Sequence, residues 1–212
     1  MRRPMPRCGN KPCAMPGDGR RAVFFDRDGT LMEEVHYCAD PSLVKVFPGV
    51  PEALRRLKEA GFGVFIITNQ SGIGRGLITE AQYRAVEEEF LRQAGRDWID
   101  ASYYCPDVPG VASDCRKPAT GMVRAATAEH QIDLAASYFV GDKSADIECG
   151  RRSGTRTVLV LTGYGAEQEC KADLTCRDAV EAVERILEGS RNHTKKTLQR
   201  GDAEISAEKK HA

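Results

Sequence analysis

Short apolar runs alternate with longer amphipathic stretches along most of the chain. Five of these runs are rich in Val, Ile, Phe or Tyr and too short for helices, which is typical of strands inside a parallel sheet. Stretches of helical length separate them. The pattern predicts strands at residues 22–26, 63–67, 99–105, 137–142 and 157–161.

Helix boundaries are marked by residues with strong end preferences. Pro51 suits the first turn of one helix and Gly61 suits its end. Thr79 and Gln82 have the spacing of a capping box, which predicts a helix from there to about Gln93. Further helices are predicted near residues 120–131, 144–152 and 177–188.

The last predicted helix has its own end signals. Thr175 with Asp178 predicts its cap, and Gly189 predicts its end. Strands and helices alternate from residue 22 to this helix, so the fold class is α/β with right-handed crossovers between parallel strands. We expect a Rossmann-like parallel sheet with helices on both faces.

The composition suggests how the 212 residues are organised. This length suits one domain with terminal extensions. Residues 1–20 are rich in Pro, Gly and Arg, and residues 189–212 are charged and poor in apolar side chains. Both segments are predicted to be disordered, which leaves a folded domain at 21–188. Cys8 and Cys13 fall in the N-terminal arm, where we interpret them as part of a flexible tail.

The charge balance limits the partners. The chain has 31 basic and 31 acidic residues, which argues against nucleic acid or a membrane surface as a general partner. No apolar run approaches the ~20 residues of a membrane span, and the first residues lack the apolar core of a signal peptide. We therefore expect a cytoplasmic monomer that acts on a small molecule. Its eight cysteines are expected to be reduced thiols.

Polar side chains follow four of the predicted strands. Because the carboxyl ends of parallel strands meet at one edge of a sheet, these side chains can converge. Neighbouring carboxylates repel each other unless a cation offsets their charge, and Mg²⁺ binds through one or two carboxylates plus phosphate oxygens. Such a set suits phosphoryl transfer, although the first acidic segment alone is also compatible with a solvated turn. The residues are Asp26, Asp28, Thr68, Asn69, Arg116, Lys117 and Asp142.

The sequence around these residues resembles the haloacid dehalogenase superfamily of aspartyl-phosphate phosphatases. All four motifs of that superfamily occur in order, each after a strand signal. A narrower resemblance covers roughly residues 21–188 and is to the D-glycero-D-manno-heptose 1,7-bisphosphate phosphatases, whose nearest relatives are the histidinol-phosphate phosphatases. The four motifs are Asp26-Arg27-Asp28-Gly29-Thr30, Thr68-Asn69, Lys117-Pro118, and Gly141-Asp142 with Asp146 four residues on.

Longer segments, most of which contain one of these motifs, carry the narrower resemblance. It implies a nucleophilic Asp26 and an Asp28 that acts first as general acid and then as general base. It also implies a Mg²⁺ ion held by Asp26, by the backbone carbonyl of Asp28 and by Asp142. The matching segments are Thr68 to Gly76, Tyr103 to Pro106, Cys115 to Pro118 and Val140 to Lys143.

The same resemblance implies how substrate is bound. Thr68 and Lys117 would steady the transferring phosphoryl group, and Arg116 would recognise the substrate. For His36, a plain loop histidine with no contact to substrate is the other interpretation. The remaining residues expected around the substrate are Glu34, Val35, His36 and Tyr37 at the entrance and Asn69, Gln70 and Ser71 after the second strand.

Two residues beside the fourth strand allow two interpretations. In the resemblance, Lys143 orders the acidic cluster around the metal. Alternatively, Lys143 and Asp146 form a surface ion pair at the start of a helix.

The sequence departs from the family pattern on the loop before Arg116. The family usually carries a structural zinc site there, with the pattern Cys-x-His and then Cys-x-Cys. The corresponding positions here are Cys105, Asp107, Ser113 and Cys115, so two of the four ligands are missing. Because structural zinc needs four N or S ligands, Cys105 and Cys115 form at most a degenerate zinc site, and we expect a loop without metal.

Spacing and chemistry together lead to one functional hypothesis. The gaps from Asp26 to Thr68 and from Thr68 to Lys117 leave no room for a large inserted cap domain, so specificity should depend on loops. We expect a Mg²⁺-dependent phosphatase that removes the 7-phosphate of heptose 1,7-bisphosphate. The alternatives are a histidinol-phosphate phosphatase, a nucleic-acid 3′-phosphatase, and a non-catalytic interaction domain that kept the fold.

Overall fold

A computed structural model describes residues 19–190 and contains a six-stranded sheet with all strands parallel. The predictions for the terminal arm, with Cys8 and Cys13, and for the charged tail beyond residue 190 lie outside the described residues. The strands are β1 (Ala22–Phe25), β2 (Gly63–Asn69), β3 (Ala101–Cys105), β4 (Tyr138–Gly141), β5 (Arg156–Val160) and β6 (Leu174–Cys176).

Strand β1 lies in the middle of the sheet. The strand order is β3-β2-β1-β4-β5-β6, so the chain first moves outward to one side and then returns to continue on the other. Phe24 pairs with Phe65 of β2 and with Phe139 of β4. Ligands of open α/β sheets bind at the carboxyl ends of strands where the order reverses, which here lies between β1 and β4.

Helices cover both faces of the sheet, as predicted. The capping box at Thr79 and Gln82 is confirmed, because Gln82 N donates to Thr79 Oγ1 at 3.1 Å and Thr79 N donates to Gln82 Oε1 at 2.8 Å. The helices are α1 (Val50–Glu59), α2 (Ser71–Gly74), α3 (Glu80–Ala94), α4 (Gly121–His130), α5 (Ser144–Ser153) and α6 over residues 179–190.

Alternating side chains of β1 belong to two separate apolar cores. Val23 and Phe25 pack on the face covered by α1, α3 and α6, whereas Ala22 and Phe24 pack on the face covered by α4 and α5. All four are fully buried. Burial of a Val or Phe side chain contributes about 1.5–3 kcal/mol, so both cores fix β1 and the chain that leaves it.

The end of the domain differs from the prediction in two ways. Thr175 does not cap the last helix but lies in β6, where it pairs with Leu159 of β5. The cap is Asp178 alone, whose Oδ1 accepts from Glu181 N at 2.8 Å. Gly189 lies within α6 and does not end it. A three-residue edge strand carries too little pattern to be recognised from sequence.

The connections that follow β1 and β2 are loops and helices without an inserted domain. Within the described residues, α1 fills the first connection, and α2 and α3 fill the second, so the prediction of no large cap is confirmed. Among helices of residues 19–190, none combines the length and the apolarity needed to cross a bilayer.

Candidate active site

The predicted site residues meet at the carboxyl edge of the sheet. They surround a cavity of about 340 Å³ that opens beyond the ends of β1, β2 and β4. Every substrate and catalytic residue predicted from sequence lines this cavity, and Asp142 lies fully buried beside it. The lining includes Asp26, Asp28, Glu34, Val35, His36, Tyr37, Thr68, Asn69, Gln70, Ser71, Arg116 and Lys117.

A buried lysine joins two carboxylates at the base of the cavity. Lys117 Nζ lies 2.7 Å from Oδ1 of Asp26 and 2.7 Å from Oδ1 of Asp146, and it also donates to the carbonyl of Ile67 at 2.6 Å. Burial alone would lower the pKa of Lys117, but Asp146 and Asp26 raise it above its ordinary value. The lysine is therefore held as a cation.

Asp26 is ionised in this environment. Burial acts to raise the pKa of its carboxyl, but Lys117 and Lys143 outweigh burial and hold the pKa below its usual range. Asp26 is only 5% exposed, and it follows directly after β1, whose packing on both faces fixes its position. An ionised, immobilised carboxylate next to a cavity is what a nucleophile requires.

Asp146 is a buried member of the site, so its interpretation as half of a surface ion pair is wrong. Its side chain is 1% exposed and contacts Lys117, while its Oδ2 accepts from the backbone N of Lys143 at 3.0 Å. Burial raises the pKa of Asp146 although Lys117 opposes the shift. The Lys143 ammonium instead pairs with Glu34 at 3.0 Å and lies 4.7 Å from the ring centroid of Tyr164.

The acidic cluster fits a divalent cation. Ligand atoms of Asp26, Asp142 and Asp146 all lie within 4.8 Å of one another. Asp142 Oδ2 accepts from Tyr164 N at 2.9 Å, but its buried Oδ1 has no hydrogen-bond partner. Burial and then Asp26 raise the pKa of Asp142 to about 7. A buried carboxylate oxygen left unpaired beside other carboxylates is where a cation would supply the missing partner.

Two glycines make room for the Asp142 carboxylate. A Cβ atom on Gly29 or on Gly163 would collide with Oδ2 of Asp142. Gly29 has a φ of 84°, which L side chains rarely adopt, so the turn after Asp28 requires glycine for its backbone as well as for space. The loops after β1 and β5 can therefore close tightly around the acidic cluster.

Asp28 is held on the cavity wall by several donors. Gln70 Nε2 donates to its Oδ2 at 2.7 Å, and Thr68 Oγ1 lies 3.4 Å from the same atom. The guanidinium of Arg27 faces both carboxylate oxygens at 3.0–3.3 Å. The carboxylate of Asp28 is thus oriented toward the cavity side that also carries Thr68.

Asn69 lines the cavity but uses its amide to support the neighbouring loop. Its Oδ1 accepts from Lys117 N at 3.0 Å, and its Nδ2 donates to the carbonyl of Lys117 at 3.2 Å. This pair of hydrogen bonds fixes the backbone that carries Lys117. A contact between Asn69 and substrate stays a prediction.

The entrance is formed by the loop after β1 and by residues that face it. His36 and Tyr37 lie side by side, with ring centroids 4.4 Å apart, and both line the cavity together with Glu34. Arg116 also lines it, and its Nη1 donates to the carbonyl of Asp107 at 3.0 Å. Burial and then Arg75 lower the pKa of Arg116, so a bound anion would be favoured there.

The four positions of the family's zinc pattern come together, but their donors do not fit structural zinc. Cys105 and Cys115 are joined by a disulfide, and Ser113 Oγ donates to Asp107 Oδ2 at 2.7 Å. The structure joins this pair, so the expectation that the cysteines are reduced is wrong for Cys105 and Cys115, whose Cα atoms lie 5.5 Å apart. Bonded sulfurs and two oxygen side chains leave no closed set of four N or S ligands.

Sequence reasoning missed one residue that lines the cavity and one that supports it from outside. Tyr164 lines it and was not predicted, although it follows β5 just as the other site residues follow their strands. Glu87 was also missed. It lies on α3 and reaches Arg27 across 60 positions of sequence, and no local pattern marks such a contact.

Comparisons with known proteins agree with this geometry. A family model described as HAD-hydrolase-like matches residues 114–187. A D-glycero-beta-D-manno-heptose-1,7-bisphosphate 7-phosphatase from Haemophilus ducreyi is 39% identical over 177 residues, covering 78% of this chain and 97% of that protein. The corresponding protein from Yersinia pestis is 42% identical over 165 residues, covering 72% and 87%.

A solved structure is similar as well. The D,D-heptose 1,7-bisphosphate phosphatase from B. bronchiseptica, complexed with magnesium and phosphate, superposes with a TM-score of 0.73 at 30% identity. The match covers 80% of this chain and 99% of that one. The likeness therefore extends over nearly the whole length of that protein.

Proposed function

The chain belongs to the haloacid dehalogenase-like phosphatases, in the family of the heptose-1,7-bisphosphate 7-phosphatases, and we propose that it removes the 7-phosphate of D-glycero-D-manno-heptose 1,7-bisphosphate. It is a hydrolase of phosphate monoesters, and its substrate is a small-molecule sugar phosphate. The choice of substrate rests on relatives that match over most of their length.

One observation carries the proposed chemistry. Lys117 Nζ is 2.7 Å from Oδ1 of Asp26 at the base of a cavity, and the buried Asp142 carboxylate lies within 4.8 Å of Asp26. Lys117 holds the Asp26 carboxylate in place, and Asp142 beside it has an unpaired carboxylate oxygen. This arrangement suits attack on an anionic phosphoryl group.

The reaction proceeds in two steps. Asp26 attacks the phosphorus and forms an acyl phosphate as the bond to the sugar oxygen breaks, and Asp28 gives its proton to that oxygen. Asp28 then takes a proton from a water molecule, whose oxygen attacks the same phosphorus and releases Asp26 and inorganic phosphate. Lys117 and Thr68 stabilise the negative charge on the phosphoryl oxygens in both steps.

The metal proposed for this site is Mg²⁺. Asp26, the backbone carbonyl of Asp28 and Asp142 would hold it, with Asp146 close enough to orient the cluster through Lys117. When bound, the ion neutralises charge on the phosphoryl group and on the carboxylates. The unpaired Oδ1 of Asp142 supports this assignment.

The substrate end of the cavity is built from loops. The residues from Glu34 to Tyr37 would line the path of the sugar, and Arg116 would bind its distal part. We also propose that Asn69, Gln70 and Ser71 border the reacting phosphate. With no cap domain among the described residues, the sugar would project from the edge of the sheet toward these loops.

We propose in addition that the enzyme is a monomer and acts in the cytoplasm. The cavity is built from residues of one chain, so a second copy is not required for the site. Size-exclusion chromatography with light scattering tests the first proposal, and fractionation of cells that produce the tagged protein tests the second.

The function is tested by a phosphate-release assay with Mg²⁺. The substrates are heptose 1,7-bisphosphate, a panel of sugar monophosphates and histidinol phosphate. We expect the highest kcat/KM for heptose 1,7-bisphosphate, with only the 7-phosphate released. Higher kcat/KM on histidinol phosphate would overturn the proposed substrate but not the proposed chemistry.

Two variants separate the site from contaminating phosphatases. Asp26→Asn removes the proposed nucleophile and should reduce the rate to background. Asp97→Asn makes the same chemical change at an exposed position outside the cavity and should leave the rate unchanged. Equal activity of the Asp26→Asn variant and the unchanged protein would contradict the proposed mechanism.

A further inference from the structure

A buried arginine lies between the two aspartates of the first motif. The side chain of Arg27 is 1% exposed, which is rare for a charged group and requires compensation. Its Nε and Nη2 each lie 3.0–3.3 Å from both oxygens of the Asp28 carboxylate, so the edge of the guanidinium faces both oxygens. Four such contacts from one rigid group limit how far the carboxylate can move or rotate.

Two residues of helix α3 contact the Arg27 guanidinium and hold it in place. Arg27 Nη1 donates to Oε2 of Glu87 at 2.8 Å, and the guanidinium carbon lies 5.4 Å from the centroid of the Tyr83 ring. Tyr83 and Glu87 are four residues apart on α3, so they share one face of that helix. Burial alone would lower the pKa of Arg27, but Asp28 and Glu87 raise it, and the side chain stays charged.

The opposite side of Asp28 has a donor of its own. Gln70 Nε2 donates to Oδ2 at 2.7 Å, so the carboxylate is clamped between an amide and a guanidinium. A free aspartate side chain rotates about two bonds, and only some orientations direct an oxygen at a leaving group. A mutation that moves a catalytic group by about 1 Å can cost ~100-fold in rate.

We propose that Arg27 is a positioning residue for the general acid Asp28, and that Glu87 serves to hold Arg27 in place. The inference rests on the proposed role of Asp28, and it gives α3 a role in positioning that residue. Arg27 does not line the cavity, so its effect on catalysis passes through Asp28.

The alternative is that the three side chains only stabilise the fold. A structural role predicts the same loss of rate for every substrate, through loss of folded protein. A positioning role predicts a loss that depends on the leaving group, because a strongly basic leaving oxygen needs the proton from Asp28 and a weakly basic one needs it less.

The test measures phosphoenzyme formation in single turnover with two aryl phosphates. Phenyl phosphate and 4-nitrophenyl phosphate have nearly the same size, but phenolate is the stronger base. The variants are Arg27→Lys, which keeps the charge and loses the planar guanidinium, and Glu87→Gln, which keeps the shape and loses the charge. Arg92→Lys is the matched control, because Arg92 pairs with Glu89 on the exposed face of α3.

We expect Arg27→Lys to slow the reaction of phenyl phosphate at least about 10-fold more than that of 4-nitrophenyl phosphate, since general acid catalysis contributes about 10²–10⁴-fold. Asp28→Asn should show the same selectivity more strongly, and Glu87→Gln the same selectivity more weakly. Arg92→Lys should change neither rate. The substrate concentration that gives half of the maximal single-turnover rate should stay close to that of the unchanged protein in each case.

Equal losses with both substrates in Arg27→Lys and Glu87→Gln, or no loss, would overturn the inference. If Arg27→Lys does not fold, as judged by circular dichroism, Glu87→Gln decides between the two outcomes. If Asp28→Asn loses the same rate with both substrates, Asp28 is not the general acid, and the inference about Arg27 fails with that role. Both probes are aryl phosphates, so a wrong assignment of the sugar substrate leaves the test intact.

Discussion

Lys117 donates a 2.7 Å hydrogen bond from Nζ to Oδ1 of Asp26, across 91 positions of sequence and within the buried part of the protein. The same Nζ lies 2.7 Å from Asp146. One cation therefore balances two buried carboxylates, and it links the end of β1 to the start of α5. We therefore expect catalysis and stability to depend on the same lysine.

Replacement of Lys117 by Met should therefore abolish activity and destabilise the protein. Removal of one partner of a buried ion pair costs about 3–5 kcal/mol, because it leaves the other charge uncompensated. Urea unfolding and phosphate release measure the two effects. Lys58→Met is the control, since Lys58 pairs with a carboxylate at 2.7 Å but is 20% exposed. Its cost should be smaller, and activity above a few per cent in Lys117→Met would contradict the prediction.

The glycine after Asp28 provides a test of the tight packing around Asp142. Gly29→Ala places a methyl group against Oδ2 of Asp142 and should weaken Mg²⁺ binding at least 10-fold, measured as the metal concentration for half-maximal activity. Gly61→Ala is matched in backbone, with φ of 83° against 84°, and its Cβ meets nothing within 4 Å. It should cost about 1–2 kcal/mol of stability, because alanine is strained in the left-handed region, and leave metal dependence unchanged. Similar behaviour of the two variants would count against the packing argument.

The raised pKa of Asp142 predicts a pH dependence in the absence of metal. A carboxyl whose folded pKa is about 7 binds a proton more tightly in the folded protein than when unfolded, so its contribution to stability is lost as the pH rises through 7. The melting temperature in EDTA should therefore fall between pH 5.5 and pH 8. Addition of Mg²⁺ should restore it, most strongly at pH 8.

Asp142→Asn isolates this effect from other titrating groups. An amide at this position has no charge to lose or gain, so both the decline in melting temperature assigned to Asp142 and its recovery with Mg²⁺ should largely disappear. Persistence of the full decline in Asp142→Asn would assign it to another carboxyl.

The disulfide between Cys105 and Cys115 should contribute to the stability of the loop before Arg116. Closure of a loop with a sequence separation of 10 is worth about 3 kcal/mol in the chain-entropy description. Cys115→Ser should lower the unfolding free energy by up to that amount, whereas Cys170→Ser, at a free and half-buried cysteine, should not. Metal analysis of the purified protein should find substoichiometric zinc, and one bound zinc per chain would contradict this prediction.

The strands and the residues at their ends could be predicted because the signals are local. The apolar run before Asp26 marks a buried strand, and the rule that parallel strands end at one edge brings Thr68, Lys117 and Asp142 to it. The capping box at Thr79 is also confined to a few neighbouring residues. These features need no knowledge of which segments pack together.

Other features depend on contacts between distant segments. Glu87 is one of several acidic residues on α3, and only the packing of that helix shows that it faces Arg27. The burial of Asp146 depends on α5 lying against the lysine of another loop, so from sequence alone it also suited a surface pair. For Cys105 and Cys115, the sequence supplied the residues but not their pairing.

The entrance loop is closed at its base by its own backbone. Met32 bridges to Val46, and Glu33 N donates to the carbonyl of Lys45 at 2.9 Å, so the segment that carries His36 and Tyr37 leaves and rejoins the domain at nearly the same point. Its ends are held by these backbone contacts, and Cys38 and Val44 anchor the segment between them in the core. A graft that changes the substrate would therefore keep Cys38 and Val44 and replace only the more exposed residues between Glu34 and Leu43, leaving the nucleophile and its lysine untouched.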